Sequence, residues 1–257
     1  MKVALCLSGQ PRFYSTDSYK SLQKHIIKPY SADVFIHSWI NETNDYSCAP
    51  WAGISDCFIP SSVAEDLKNL YKPKKIVFEE SREFPEYHSK NPSDYITRNA
   101  PSMFYSMTYC DKLRQDYEKE MAITYDWVIR ARTDTYLDSF PDLTKLSPNI
   151  LYVPSNCPNP NSWVYNDNFS ICSGSIAHKI YSVYNTIETM YNSDEDDRSA
   201  ILKILSKSAE DMWGYHLQIN DTVVQRLVIY QTFVRDWNNR KDPIRLYFIG
   251  TEDTKLL

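Results

Sequence analysis

Tyr125-Asp126-Trp127-Val128-Ile129-Arg130-Ala131-Arg132-Thr133-Asp134-Thr135-Tyr136-Leu137-Asp138 decides how the chain is read. It opens as a hydrophobic run that predicts a buried strand over Trp127 to Ala131, and it closes on Arg130, Arg132 and Asp134. Side chains alternate along a strand, so an extended chain puts residues 130, 132 and 134 on one side. In open α/β sheets, ligands bind beyond the carboxyl ends of the strands. A carboxylate delivered there is costly to desolvate unless it meets a cation. Two arginines and an acid on one face suit a diphosphate with Mg²⁺ or Mn²⁺, the acid holding the metal and the guanidinium groups the phosphate. A plain buried Arg–Asp pair is the bland alternative.

Outward from this stretch, short apolar runs alternate with helical periodicities. Lys2 to Leu7 predicts a first strand, and its apolar part is too short for a signal peptide. Ser8-Gly9-Gln10-Pro11-Arg12 predicts a tight loop. Tyr19, Leu22, Ile26 and Ile27 share a helical face that stops near Pro29, and Asp33 to Trp39 is a second strand. Strand, helix, strand is the signature of a parallel βαβ unit. Residues 41–60 and 81–97 read as loops. Between them, Ser62-Val63-Ala64-Glu65 has the spacing of a capping box for a helix through Leu67 and Leu70, and Lys75 to Glu79 predicts a third strand. A long helix is expected from about Pro101, with Met103, Met107, Cys110, Leu113 and Tyr117 in register. In the second half, Ile150 to Pro154 predicts a strand, and Ile180 to Met190 one helix. The acids Asp194 to Asp197 read as a solvated loop. Ala200 to Leu205 and the segment from Ala209 read as helices, Val223 to Tyr230 as a late strand, and the rest as a polar tail.

Composition narrows the classes. The 257 residues carry 28 Lys plus Arg against 33 Asp plus Glu, a net charge of −5, so the basic excess of a nucleic-acid binder is missing. No apolar run reaches the roughly 20 residues that span a bilayer, and a cytoplasmic setting is expected. The six cysteines form no CxxC pair, which argues against a cysteine zinc site. Free thiols are the default, with Cys48 and Cys57 the pair that could join in an oxidising compartment. N-x-S/T occurs at Asn41, Asn168 and Asn220, but carries no meaning without secretion. No GxxxxGK phosphate loop exists among only 5 glycines. The expected architecture is α/β: a single domain over 1–257, its central, mostly parallel sheet flanked by helices.

The Ser-Gly-Gln-Pro-Arg loop, Ala-Asp-Val-Phe-Ile-His-Ser-Trp at 32–39, Tyr-Asp-Trp-Val-Ile-Arg-Ala-Arg-Thr-Asp at 125–134 and Tyr-Asn-Asp-Asn-Phe-Ser-Ile at 165–171 together resemble GT-A-type glycosyltransferases of bacteria, phages and large DNA viruses. The likeness spans roughly residues 1 to 190. It implies a nucleotide-sugar-binding half over 1–138 and an acceptor-binding half over 139–257. In such enzymes a DxD motif after the fourth strand holds Mn²⁺ or Mg²⁺ against the nucleotide diphosphate. Asp134 matches the second acid, and Arg132 stands where the first would be, a departure that places phosphate pairing beside metal binding.

The resemblance also implies that Ser8, Gly9, Gln10 and Arg12 hold the nucleotide, which backbone amides and a guanidinium suit. The start of the helix near Pro101 would lie against the donor, offering Ser102 and Tyr105. His37 would line the donor pocket beside Trp39, or simply close the core. Asp167 could bind acceptor hydroxyls or form an Asx turn. Glu210-Asp211 resembles the acidic pair that supplies the base in inverting families, Asp211 first and Glu210 next. First-turn acids complementing a helix dipole are the alternative. A late histidine can complete the metal sphere, here His216. The expected function is transfer of a sugar from a UDP-linked or similar donor to a glycan hydroxyl, in host cytoplasm if the source is viral. A nucleotide- or glycan-binding module without turnover is the rival.

Overall fold

The structure is a computed structural model, and it describes residues 1–40, 45–46, 57–81, 83–87, 100–155, 165–205, 208–227 and 231–233. Seven strands form one sheet: β1 (Val3–Gly9), β2 (Asp33–Trp39), β5 (Lys75–Glu79), β6 (Trp127–Ala131), β8 (Leu151–Pro154), β9 (Ser170–Ser173) and β10 (Val224–Leu227). Their order is β10-β8-β9-β6-β1-β2-β5. Every pairing is parallel except those of β9, which runs against both β6 and β8. Two short antiparallel pairs stand apart: β3 (Asp45–Tyr46) with β4 (Cys57–Phe58), and β7 (Thr135–Leu137) with β11 (Gln231–Phe233).

Alternation along the strands builds two cores. Ala4, Cys6, Phe35 and Val128 face one layer, while Val3, Leu5, Leu7, Val34, Ile36 and Ile129 face the other. Burial on both faces explains why these strands read as continuous apolar runs rather than alternating ones. The second layer packs under the helical segment α1 (residues 17–30) and helix α2 (Val63–Tyr71). The first packs under α3 (Ala100–Met121), α4 (Gly174–Tyr181), α5 (Val183–Tyr191), α6 (Glu195–Leu205) and α7 (Ala209–Ile219).

Several expectations shift in detail. The helix near Pro29 is a composite α1: an α-helix Asp17–Leu22, a π-turn Gln23–Ile27 and a last turn Lys28–Tyr30. Pro29 has no N–H for a carbonyl one turn back, and a π-turn just before it accommodates that loss. Ser62 makes no cap; its hydroxyl donates to Asp66 Oδ2 at 2.8 Å, so the capping box with Glu65 is not formed. The single helix expected over 180–190 breaks at Ser182 into α4 and α5. The acids at 194–197 are no solvated loop. Asp194 Oδ1 accepts the Asp197 N–H at 2.9 Å, and Glu195, Asp196 and Asp197 form the first turn of α6, where negative charge meets the positive end of the dipole. Cys6, Cys110 and Cys172 are buried free thiols. Cys48, most of the polar tail and most of the two long loops lie outside the described residues, and with Cys48 the Cys48–Cys57 reading; of the tail, Gln231–Phe233 forms β11 rather than an irregular end. No helix among the described residues is long and apolar enough to cross a membrane.

One glycine fixes how α4 leaves the sheet. Gly174 donates its N–H to the Asp126 carbonyl at 3.0 Å, and a Cβ on it would overlap the Tyr125 carbonyl oxygen and lie 3.0 Å from the carbonyl carbon. Both obstacles are backbone and cannot rotate away. Gly174→Ala is therefore expected to destabilise the fold by more than ~3 kcal/mol, as overpacking against a rigid neighbour does. A thermal melt within a degree or two of the parent would contradict this packing.

Candidate functional site

The sheet order reverses beside β1: the chain runs outward through β2 and β5, then returns to add β6 on the other side of β1. The crevice beyond the carboxyl ends of β1 and β6 is thus a topological switch point, where open sheets bind ligands. Because β9 runs antiparallel, its entering end, with Asp167 and Asn168 just before it, reaches the same edge.

β1 brings Ser8 and Gly9. Gly9 has φ 112°, a backbone that favours glycine, and its carbonyl accepts the Ser38 hydroxyl at 3.1 Å. Beyond it the chain turns, with the Arg12 N–H on the Gln10 carbonyl at 2.8 Å. The Arg12 guanidinium folds onto Gln10 Oε1, with Nε at 2.8 Å. The Thr133 hydroxyl lies 2.9 Å from the Arg12 carbonyl and 3.2 Å from that of Gln10, tying this loop to the end of β6.

β6 ends at Ala131, and a turn follows in which Thr135 N–H donates to the Arg132 carbonyl at 3.1 Å. Strand alternation stops there, so the expectation that residues 130, 132 and 134 share one side does not hold. Arg132 instead grips Asp134 with Nε on Oδ1 at 2.9 Å and Nη2 on Oδ2 at 2.6 Å, and its Nη1 reaches Asn168 Oδ1 at 3.1 Å. Asp134 is 1% exposed.

Arg130 goes elsewhere. It is buried, donates Nε to Ser8 Oγ at 3.2 Å and Nη1 to the Asp167 carbonyl, and its buried Nη2 has no partner among the described residues. Burial, opposed by the Asp167 charge, pulls its pKa down to about 10. Asp167 is buried too. Loss of water, then the Glu210 charge, push its carboxyl up to about 7, against the pull of Arg130. Asn166, rather than Asp167, makes the local turn, accepting the Asn168 N–H at 2.8 Å.

The acidic pair on α7 divides. The Ser208 hydroxyl accepts the Asp211 N–H at 3.0 Å and donates to Asp211 Oδ2 at 2.8 Å. Asp211 is thereby held in a helix cap, while Glu210 is the member whose charge Asp167 feels. The spacing Ser208-x-x-Asp211 is a capping signature, so this assignment was available in the sequence.

The remaining candidates separate. Ser102 is half-buried in the first turn of α3. His37 and Tyr105 belong to a relay at the carboxyl ends of β2 and β5. His37 Nδ1 meets the Ser106 hydroxyl at 2.8 Å, His37 Nε2 meets Glu79 Oε1 at 3.3 Å, and the Tyr105 hydroxyl donates to Glu79 Oε2 at 3.1 Å. Tyr105 also stacks on Trp39 and Tyr109, with centroids 5.3 and 4.1 Å apart. A Ser–His–Glu line has the composition of a hydrolase triad, but the Ser106 hydroxyl donates to the His37 carbonyl at 3.2 Å and so does not offer its proton to the ring. The relay holds Glu79 in place, and neither Glu79 nor Ser106 carried any signal in the sequence.

His216 is fully buried. Its Nδ1 meets the Thr186 hydroxyl at 2.9 Å, and its Nε2 lies 3.0 Å from the carbonyls of both Lys179 and Ile180. Burial lowers its pKa to about 4. The neutral ring ties α7 to the end of α4. A divalent ion needs several oxygen or nitrogen donors turned to one point. Both oxygens of Asp134 are taken by Arg132, and both nitrogens of His216 are engaged. No three His, Cys, Asp or Glu side chains converge on a metal position among the described residues. Among the described residues, the donors named for it, Asp134 and His216, do not form a site that fits Mn²⁺ or Mg²⁺.

The fold defines an α/β protein with an open, mostly parallel sheet and a cluster of buried polar side chains at its switch point. The chain belongs to the family described as "Domain of unknown function (DUF7796)", whose model matches residues 1–190. That stretch includes Ser8, Arg130, Arg132, Asp134 and Asp167 but not α7. No curated protein matches the chain.

Proposed function

We propose that this chain is a glycosyltransferase that moves a sugar from a nucleotide diphosphate donor, UDP-linked or similar, to a glycan hydroxyl. One observation carries the reading: at the switch point a buried arginine keeps one guanidinium nitrogen unpartnered among the described residues, beside a carboxyl group whose pKa burial raises to about 7. A buried cation short of partners is costly, and an anionic ligand would relieve that cost. In this reading Arg130, helped by the Ser8–Gly9 loop, receives the diphosphate and offsets the charge of the leaving group. Asp167, made more basic by burial and then by Glu210, takes the proton from the acceptor hydroxyl as the bond from sugar to diphosphate breaks, with inversion at the sugar carbon. The likeness of the 1–190 motifs to GT-A-type enzymes supports the same chemistry. His37 and Tyr105, through Glu79, would shape the nucleoside end of the cleft.

Arginine here does the work expected of Mn²⁺ or Mg²⁺. Chelation with EDTA is accordingly expected to leave donor binding, read by calorimetry, and donor turnover within about twofold, well under the ~1.4 kcal/mol of a tenfold change. A collapse of turnover restored by Mn²⁺ would return the diphosphate to a metal. Binding of the donor with neither transfer nor hydrolysis would favour the module without turnover, to which the missing first acid of the DxD pattern also points.

A further inference from the structure

The chain continues on both sides of the Asp167–Glu210 pair into a second feature, a cavity of about 330 Å³. Its lining includes Tyr165, Gly214, Leu217, Gln218, Asp221 and Thr222. Two independent segments lead to it from the carboxyl pair. Tyr165 stands two residues before Asp167, which keeps their Cα atoms within about 7 Å. On α7, Glu210, Gly214 and Gln218 recur every four residues and so lie on one face, with Asp221 and Thr222 just beyond the helix end. From Glu210 to Gln218 the track is about 12 Å long.

The chemistry of the lining is specific. Gly214 leaves the middle of the track without a side chain. Arg226 sits 5.1 Å over the Tyr165 ring, fixing its plane. Leu217 gives a buried apolar floor, while Gln218 and Asp221 are exposed at the rim. An aromatic ring, an apolar floor and a rim of amide, carboxylate and hydroxyl groups match a ligand with C–H faces and many hydroxyls. The size lies in the range of small-molecule sites.

We infer that this cavity is a carbohydrate subsite that holds a sugar unit of the acceptor next to the one being glycosylated. The inference rests on the glycosyltransferase reading and adds to it where the acceptor lies: along α7, with the reacting hydroxyl at Asp167 and the following unit against Tyr165. The ligand is a neutral oligosaccharide of at least two units, because the track extends beyond the carboxyl pair, the Arg226 guanidinium is engaged over the Tyr165 ring, and the Asp221 carboxylate at the rim disfavours an anion.

The test is direct binding of a panel of neutral hexose, pentose and N-acetylhexosamine oligosaccharides, read by saturation-transfer NMR and calorimetry on the full chain. UDP-sugar binding is measured separately. The parent is expected to bind at least one oligosaccharide. Tyr165→Ala, and independently Gln218→Ala with Thr222→Val, are expected to weaken that binding roughly tenfold or more while leaving UDP-sugar affinity within about twofold. The second variant changes only surface and rim positions, and so separates loss of binding from loss of fold, with a thermal melt as control. Oligosaccharide binding absent in the parent, or unchanged in both variants, overturns the subsite. Failure of UDP-sugar binding in the parent, with oligosaccharide binding intact and sensitive to the variants, would overturn the donor reading and leave the subsite standing.

Discussion

Arg130→Met is expected to weaken binding of nucleotide diphosphates on the order of 100-fold while changing the stability of the fold by no more than about 2 kcal/mol. The two effects separate because Arg130 is held so incompletely. It is 2% exposed, touches one hydroxyl and one carbonyl, and leaves Nη2 without a partner among the described residues. Its neighbours within hydrogen-bond reach are neutral, so the nearest counter-charge is the Asp167 carboxyl, itself pushed toward the neutral form. Replacing a poorly compensated buried charge with an apolar chain of similar length removes a desolvation penalty. It also leaves Ser8 and the Asp167 carbonyl short of a donor, at about 1–3 kcal/mol. These terms oppose each other, and the net change is expected to stay within about 2 kcal/mol. Binding has no such compensation. A charge-assisted contact to phosphate in a desolvated cleft contributes on the order of 3 kcal/mol, so UDP affinity should fall on the order of 100-fold. Calorimetry with UDP and a thermal melt on the same preparation read both quantities. A variant that binds UDP as the parent does removes Arg130 from the site; one that unfolds makes it a structural residue.

Asp167→Asn is the second large effect, and it carries a pH signature. The Asp167 carboxyl has a folded value of about 7 against an ordinary 3.8, through burial first and the Glu210 charge second. The folded state then holds the proton more tightly than the unfolded one. Linkage makes stability fall as pH rises between those two values and level off above the higher. At about 1.4 kcal/mol per pH unit, the loss is on the order of 4 kcal/mol by pH 8. The asparagine variant lacks this titration. Its melting temperature should exceed the parent's at pH 8, and the advantage should vanish near pH 4. Transfer should respond in the opposite sense. The parent rate rises with pH through about 7 as the carboxylate forms, and the variant loses roughly 10²–10⁴ of it with no such rise. A variant with full activity would move the base to Glu210. His216, with its pKa lowered, contributes in the opposite sense over part of this range, so the comparison is between parent and variant: a melting-temperature difference that stays constant between pH 4 and pH 8 would contradict the burial of the charge.

What the sequence made legible follows from which forces are local. Asp33–Trp39, Lys75–Glu79 and Trp127–Ala131 occur with the bounds read from their apolar runs: the first and last are buried on both faces, the edge strand Lys75–Glu79 is half-buried along its length, and turn residues flank all three. The reversed direction of β9 was not legible: nothing in Ser170–Ser173 distinguishes a strand that enters the sheet from the other end. That reversal carries Asp167 to the cleft. At Arg132–Asp134 the assumption of continued alternation failed, since a turn stabilised by Thr135 ends the strand one residue after Arg130. The acids at 194–197 were misread because charge density was weighed ahead of capping; the order Asp211 before Glu210 comes from the resemblance, which says nothing of the Ser208 cap. The partners of His216 are carbonyls of another helix, and no pattern in sequence announces a carbonyl.

The bonds that join the cleft have a kinetic consequence. Ser8 and Arg130 are 122 positions apart along the chain, and Arg130 and Asp167 a further 37, while β1, α1 and β2 close within the first 39 residues. Closing long loops costs more entropy than closing short ones and slows the steps that depend on them. The ligand-competent cleft is therefore a late product of folding, assembled after its scaffold. A chain arrested between those stages holds native-like secondary structure yet recognises nothing, and ligand present during refolding acts on the last step rather than the first.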